Sequence, residues 1–506
     1  MSPAVALRSA LLAAAALASQ PPAVHGSVDA ALAARCGEGA GDACREVGRA
    51  LVVSGAAERI RLGAAHVTLA CDLGDAPACG DLGVLHAIGR GVVYDAERAT
   101  GLSRRACDAG VGLACSNLAV LQIEEAGGLV PSTGLGAGPS TGLGAGSGRP
   151  ATEAVRRFRV ACDSGAAEGC VDQAAALEAG AGPGGRRDRE SAVAALHRAC
   201  DLGLAIGCHR LALLTGATGP AALACRAAIA GACSAAGLPV PPPGAATPSP
   251  RLVSDPGALV LGVPGTGGFH PADLEAREPP RPSGEAALAP SSAVVASVPE
   301  ALRPRLALDG PTSGAPPDPA VVLLLPARRV ELGQCLEVPR SSPRELVRLA
   351  VAFAVEPDGR TSGIRAASLP DEHEAEACAA ALAGGWEFPL ADRALGPFAV
   401  EYDLEPLPEG AAPGYAGPGA LRPAPKDAAC LARARGGGGT GRTVSLKLAV
   451  DAGGRASLVH ALSPAPEALV AAAAEAVRAC PWSPGTGADG RPALLWTTVA
   501  VPVGSR

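Results

Sequence analysis

One spacing recurs along this chain. CDLGDAPAC runs from Cys71 to Cys79 and returns as CDAGVGLAC, CDSGAAEGC and CDLGLAIGC, from Cys107, Cys162 and Cys200. Looser copies, CGEGAGDAC and CRAAIAGAC, begin at Cys36 and Cys225. The pairs are Cys36 with Cys44, Cys71 with Cys79, Cys107 with Cys115, Cys162 with Cys170, Cys200 with Cys208 and Cys225 with Cys233. On one continuous helix, eight positions amount to about 12 Å of rise. A disulfide needs α-carbons about 4.4–6.8 Å apart. A bridged pair therefore requires the chain to reverse between its cysteines. Glycine three residues after the first cysteine supplies the turn in five of the six copies, at Gly39, Gly74, Gly110, Gly165 and Gly203. Zinc would take ligands about two to four residues apart, and a thioredoxin-like site would need CxxC, which is absent. The expected role is a structural clamp on a helix–turn–helix corner, contributing roughly 2–3 kcal/mol per bridge on the chain-entropy model.

The pairs also have a period. Cys36 to Cys71 is 35 residues, Cys71 to Cys107 is 36 and Cys162 to Cys200 is 38. The 55-residue step from Cys107 to Cys162 holds PSTGLGAG twice in tandem (131–146), a loop insertion. The 25-residue step from Cys200 to Cys225 is a shortened last repeat. A period of this length signals a solenoid of helix pairs. Within one unit, Leu82, Leu85 and His86 share a helix face before a break at Gly89-Arg90-Gly91. Asp95 then caps a second helix with Ala99, Leu102 and Ala106 on one side, and Gly110 stops it. Phe158 and Tyr94 are expected in the core; His66, His86, His197 and His209 are packing or surface residues.

From about 239 to 320 the sequence becomes proline-rich, as in PVPPPGAATPSP and PPRPSG, and reads as a disordered linker. Two similar segments follow. LVRLAVAFAVEPDGR (346–360) and TVSLKLAVDAGGR (443–455) each read as a strand entering a hairpin. Each continues into a second strand and a helix, then an aromatic–proline corner (WEFP, CPWSP), and closes with an apolar strand. Cys335 lies 24 residues before Gly359, and Cys430 lies 24 before Gly454, so the two are duplicated α+β units. Their cysteines pair as Cys335 with Cys378 and Cys430 with Cys480.

The remaining candidates read as ordinary structure. GGGGTGRT (436–443) fits a glycine-rich phosphate loop only formally, because it precedes a strand rather than a helix. Asp371, His373, Glu374 and Cys378 gather in DEHEAEAC, but acids at a helix start complement its dipole. No catalytic set, cofactor site or metal site emerges.

Aromatics make up 2% of the chain, and the net charge is −6, which argues against a nucleic-acid surface. The opening MSPAVALRSALLAAAALASQ has Arg8, a short apolar run and a small-x-small site at Ala16-Leu17-Ala18. These are the parts of a signal peptide over 1–26. No stretch has the roughly 18 apolar residues of a membrane span. Sixteen cysteines in an exported chain argue for disulfides.

LGVLHAIGRGVVYDAERATGLSRRACDAG (82–110) resembles the Sel1-like repeat, a tetratricopeptide-related helix pair, and the doubled cysteines resemble its exported, cysteine-rich bacterial branch. The resemblance covers about 27–237. It implies a solenoid that binds envelope proteins or peptides; some members of that branch are described as penicillin-binding or weak β-lactamases. No S-x-x-K stands here to supply that nucleophile. The PDGR turn, the helix with Cys378 and the WEFP corner resemble the TonB C-terminal domain of the AgmX type, which implies partner-binding strand edges. The expected architecture is multidomain: an all-α solenoid of helix-pair repeats (27–238), a disordered linker (239–320) and two small α+β, TonB-C-like units (321–408 and 426–504). The expected function is a noncatalytic, periplasmic or secreted protein-binding scaffold. The alternatives are a β-lactam- or peptidoglycan-related activity of the repeats and a part in an energised envelope machine. A non-reducing mass-spectrometric map should find eight local bridges in the purified protein; free thiols or bound zinc would contradict the pairing.

Overall fold

The computed structural model describes residues 30–52, 56–125, 149–226, 230–238, 259–261, 289–408, 412–416, 420–433, 442–462, 467–487 and 489–503. The apolar run at the start, the tandem PSTGLGAG and most of the GGGGTGRT loop lie outside these residues.

Helices occupy the first half. They are α1 (Ala30–Gly37), α2 (Gly41–Val52), α3 (Ala57–Asp72), α4 (Ala76–Ile88), α5 (Ala96–Asp108) and α6 (Gly112–Glu125). Then come α7 (Arg149–Asp163), α8 (Ala167–Ala179), α9 (Arg189–Asp201), α10 (Ala205–Thr215), α11 (Thr218–Arg226) and α12 (Ala230–Ala236). Each cysteine spacing falls at the corner joining an odd-numbered helix to the next. The reason is local. In five corners the glycine has φ between +84° and +94°, which a residue without Cβ adopts at no steric cost. The next residue's N–H then returns to a carbonyl five positions back: Asp75 to Ala70 (3.0 Å), Val111 to Ala106 (3.1 Å), Ala166 to Ala161 (3.0 Å). This is the helix-ending bond of a Schellman turn. The following helix starts at once. Asp75 caps α4 by accepting the Ala78 N–H (2.8 Å), and Asp95 caps α5 by accepting that of Arg98 (2.8 Å). Ala99 and Ala106 are buried on α5, with Leu102 half-buried. Phe158 is fully buried, but Tyr94 is 48% exposed. Tyr94 lies in the loop just after the left-handed Gly89, where a Cβ on Gly89 would meet the Tyr94 Cβ at 3.4 Å, and it stays half-exposed rather than joining the core.

The chain divides into two compact units. One spans Val67–Arg281 and holds α4 to α12. The other joins the helices before residue 67 to everything after 281. In that second unit the guanidinium of Arg61 pairs with Asp318 at 3.0 Å.

Residues 289–320 of the stretch expected to be linker are folded; 239–258 and 262–288 lie outside the described residues. Residues 289–320 contain α13 (Ser292–Ser297) and a 3-10 turn at Glu300–Leu302, and α14 (Pro319–Glu331) begins before the expected boundary. Val294, Val298, Leu302, Leu306 and Leu308 are buried together with Ala350, Ala352 and Ala367 of the first sheet. The physical reason is an apolar residue every fourth position, which offers one face to the sheet despite the prolines.

Two three-stranded antiparallel sheets follow, with the same topology. The first comprises β1 (Val347–Val355), β2 (Thr361–Leu369) and β3 (Leu395–Leu404), ordered β2-β1-β3, with α15 (His373–Gly384) packed on it. A short β4 (Ala424–Pro425) precedes the second, made of β5 (Arg442–Val450), β6 (Ala456–Ala461), α16 (Glu467–Ala479) and β8 (Leu495–Val503). Its order is β6-β5-β8, and β4 pairs separately with β7 (Trp482–Ser483). Both hairpin turns meet the aromatic corner alike: Phe388 N–H donates to Gly359 O (2.8 Å), and Trp482 N–H donates to Gly454 O (3.2 Å). Gly359 and Gly454 have φ of +81° and +77°. A Cβ on either would stand 2.0 or 2.3 Å from the carbonyl oxygen of Phe388 or Trp482. Gly359→Ala and Gly454→Ala should therefore each cost more than the roughly 1–2 kcal/mol of a left-handed alanine, measured by urea unfolding; an unchanged midpoint would contradict the packing.

Candidate functional site

Disulfides staple the corners between paired helices. Bridges join Cys36–Cys44, Cys71–Cys79, Cys107–Cys115, Cys162–Cys170 and Cys200–Cys208, with α-carbons 4.5–4.6 Å apart. Cys233 is also bridged, while the side chain of Cys225 lies outside those described. Cys335–Cys378 and Cys430–Cys480 span 5.8 and 5.7 Å between α-carbons. No described cysteine is free. The corners pack tightly because small residues face one another. A Cβ on Gly169 would sit 2.4 Å from that of Ala161, and one on Gly207 would sit 2.6 Å from that of Ala199. Held in bridges, these sulfurs tie the end of one helix to the start of the next.

That fixed geometry positions a column of polar side chains. Two residues after the second cysteine stand Asp81, Asn117 and Asp172 in successive repeats, exposed by only 1–2%. Ser116 Oγ donates to Asp172 Oδ2 at 2.8 Å. Asn117 and Asp81 hold a piece of extended chain from the proline-rich region. The Leu261 N–H donates to Asn117 Oδ1 (2.8 Å), and Asn117 Nδ2 donates to the Leu259 carbonyl (3.3 Å). The Leu259 N–H reaches Asp81 Oδ1 at 3.4 Å. Leu259 and Leu261 are buried, with Val260 half-buried. Buried polar groups are normally satisfied, and here a backbone supplies part of the satisfaction. The column was missed in the sequence, although its constant offset from the cysteines was a usable signal. So was LVL, an apolar triplet among prolines and glycines.

A second polar cluster ties the two sheet units together. Glu337, two residues after Cys335, accepts from Lys447 Nζ, from His460 Nε2 (3.0 Å) and from the Tyr415 hydroxyl (3.2 Å). The indole of Trp496 lies edge-on to His460, centroids 5.8 Å apart. Burial lowers the His460 pKa against the opposing pull of the Glu337 carboxylate. Arg478 pairs with Glu405, and the Leu458 N–H donates to the same carboxylate at 3.2 Å. Every charge in this cluster is engaged by a neighbour of its own chain, so its evident work is to join the duplicated units.

Most of the DEHEAEAC residues are held by neighbours, whereas His373 and Glu374 are exposed. Arg305 donates to Asp371 and to Glu376, each at 2.6 Å. Glu372 accepts the Ser341 N–H at 2.7 Å, Cys378 is bridged, and His373 is exposed. Among the described residues no group of three or more metal-ligating side chains comes together. None of their helices is long and apolar enough to cross a membrane.

No protein-family model and no curated protein matches the chain. The crystal structure of a Sel1 repeat protein from Oxalobacter formigenes is similar to it at 19% identity, with a TM-score of 0.24, over 33% of this chain and 68% of that one. A likeness of that extent assigns neither an activity nor a partner.

His86, on the same helix as Asp81, gives the repeats a pH dependence. Its Nδ1 lies 3.0 Å from the Val93 carbonyl and donates to it in the neutral ring. Burial, and then the Arg98 guanidinium, lower its pKa from 6.5 to about 4. The folded protein thus binds this proton more weakly than the unfolded chain. The stability involved is complete above pH 6.5 and declines as pH falls toward 4, by about 3 kcal/mol for a shift of that size. Between pH 7 and 4.5, wild type should lose more stability in urea than His86→Gln does; equal losses would contradict this.

Proposed function

We propose that this chain is a noncatalytic scaffold of the cell envelope, periplasmic or secreted, that binds proteins or peptides through its disulfide-stapled helix pairs. The observation that carries the reading is the grip of Asp81 and Asn117 on an extended backbone. Side chains that hold N–H and C=O groups from a segment more than 140 residues away in sequence are suited to recognising peptide as such. Two further features support export. The bridged corners are what a chain maturing in an oxidising compartment would carry, and the sequence opens on a signal-like apolar run.

The duplicated sheet units fit the same role. We read them as TonB-C-like modules; β8 is already bridged at its start by Gly414 and the Leu458 N–H of β6 is held by Glu405, so the edges a partner strand would join are β2 and β3 of the first sheet. Their shared polar cluster holds the pair as one module.

Crosslinking of a tagged full-length chain in its host envelope should enrich a discrete set of exported proteins over a tagged control. Failure to recover any, or steady nitrocefin turnover by the purified chain, would overturn the reading.

A further inference from the structure

The three ordered residues Leu259–Leu261 sit against the repeats in the way a bound peptide would. Asn117 meets this segment with both ends of its amide. Its oxygen accepts from the Leu261 N–H at 2.8 Å, and its nitrogen donates to the Leu259 carbonyl at 3.3 Å. That pair of bonds brackets Val260 as a neighbouring strand would. The longer bond from Leu259 N–H to Asp81 Oδ1, 3.4 Å, comes from the preceding repeat. In extended chain the N–H groups of residues i and i+2 point to the same side. Two successive repeats thus engage two alternate N–H groups of one extended segment.

These contacts read backbone, so they accept any non-proline residue at the two donor positions. Selectivity comes from burial. Leu259 and Leu261 are 3% and 0% exposed, while Val260 between them is half-buried. The preferred ligand is an extended apolar–x–apolar segment. Both polar side chains are themselves almost wholly buried, Asp81 at 2% and Asn117 at 1%. With the strap in place Asn117 is wholly covered and both ends of its amide are bonded, so loss of the strap without a replacement would cost stability.

We propose that Asp81 and Asn117 form a peptide-binding site in the repeat unit, and that Leu259-Val260-Leu261 is its resident intramolecular occupant. A partner's extended apolar–x–apolar segment binds by displacing this strap. The proposal rests on reading the helix pairs as a protein-binding module and adds its site, its ligand class and its control. Being on the same chain, the strap competes intramolecularly, at an effective concentration that a free partner must exceed. Partners of modest affinity are then excluded unless they are abundant or multivalent.

The test uses the full-length oxidised protein and a fluorescein-labelled peptide of residues 255–264, DPGALVLGVP, in fluorescence anisotropy. Replacing the strap leucines together, Leu259→Asp with Leu261→Asp, should strengthen peptide binding at least about tenfold over wild type, because the competitor is gone. Adding Asn117→Ala should weaken it again by about tenfold, the worth of its backbone bonds. A peptide with Asp at both leucine positions should not bind. Equal binding by wild type and the strap variant, no binding by the strap variant, or indifference to Asn117→Ala would each overturn the proposal. Amide exchange guards against misfolding: in the otherwise wild-type chain, Asn117→Ala should expose the Leu261 amide while α4 stays protected. Should alanine unfold the repeats, Asn117→Asp keeps the acceptor for Leu261, loses the donor for Leu259, and should still weaken binding. If host crosslinking recovers the same partners from wild type and Asn117→Ala, the scaffold reading stands and this site falls.

Discussion

Five of the helix pairs depend on a bridge that can close because the chain turns through a left-handed glycine between its cysteines. Gly74 and its counterparts end one helix, the residue after them returns an N–H to the helix just finished, and the next helix leaves antiparallel. The sulfurs then stand within bonding distance without distortion of either helix. The composition explains why such staples are needed. With aromatics at 2%, the repeat cores are built largely from alanine, valine and leucine. Small side chains bury little apolar area each, and a bridge worth roughly 2–3 kcal/mol per short loop offsets much of the shortfall. Small residues also let the helices approach closely, as Gly169 against Ala161 and Gly207 against Ala199 show.

The same rigidity aligns Asp81, Asn117 and Asp172. They share an offset from a cysteine whose position is fixed covalently, so successive repeats present them in register. Two of them, Asp81 and Asn117, engage alternate N–H groups of one extended segment. Farther along the chain a different device holds the duplicated units together. There Glu337 and Glu405 reach from the first unit to Lys447, His460, Arg478 and the Leu458 N–H of the second.

Much of this was legible in the sequence because its causes are local. The cysteine spacing with its glycine implied a reversal, Asp95 implied a cap, and the PDGR and AGGR turns implied two hairpins; each is decided within about ten residues. What was not legible depends on distant partners. The strap at Leu259–Leu261 meets Asn117 from more than 140 positions away, and proline-rich surroundings hide it. Residues 289–320 were expected to be disordered for the same compositional reason, yet Val294, Val298, Leu302 and Leu306 recur every fourth position and cover the first sheet. Tyr94 was expected in the core, but it sits in the loop between two helices and is 48% exposed. The glycine-rich loop before Arg442 lies outside the described residues, and β5 begins at that arginine.

If the clamped corners hold the repeats in their peptide-gripping geometry, breaking the bridges must dismantle that geometry. The most direct measurement is amide hydrogen exchange on the full-length protein before and after reduction under native conditions, followed at α4, α6 and Leu261. The account predicts that reduction removes protection at Leu261 and lowers it by orders of magnitude across the corner helices. Retention of oxidised-level protection at Leu261 and α6 after complete reduction would contradict it, because the polar column would then be held by packing alone.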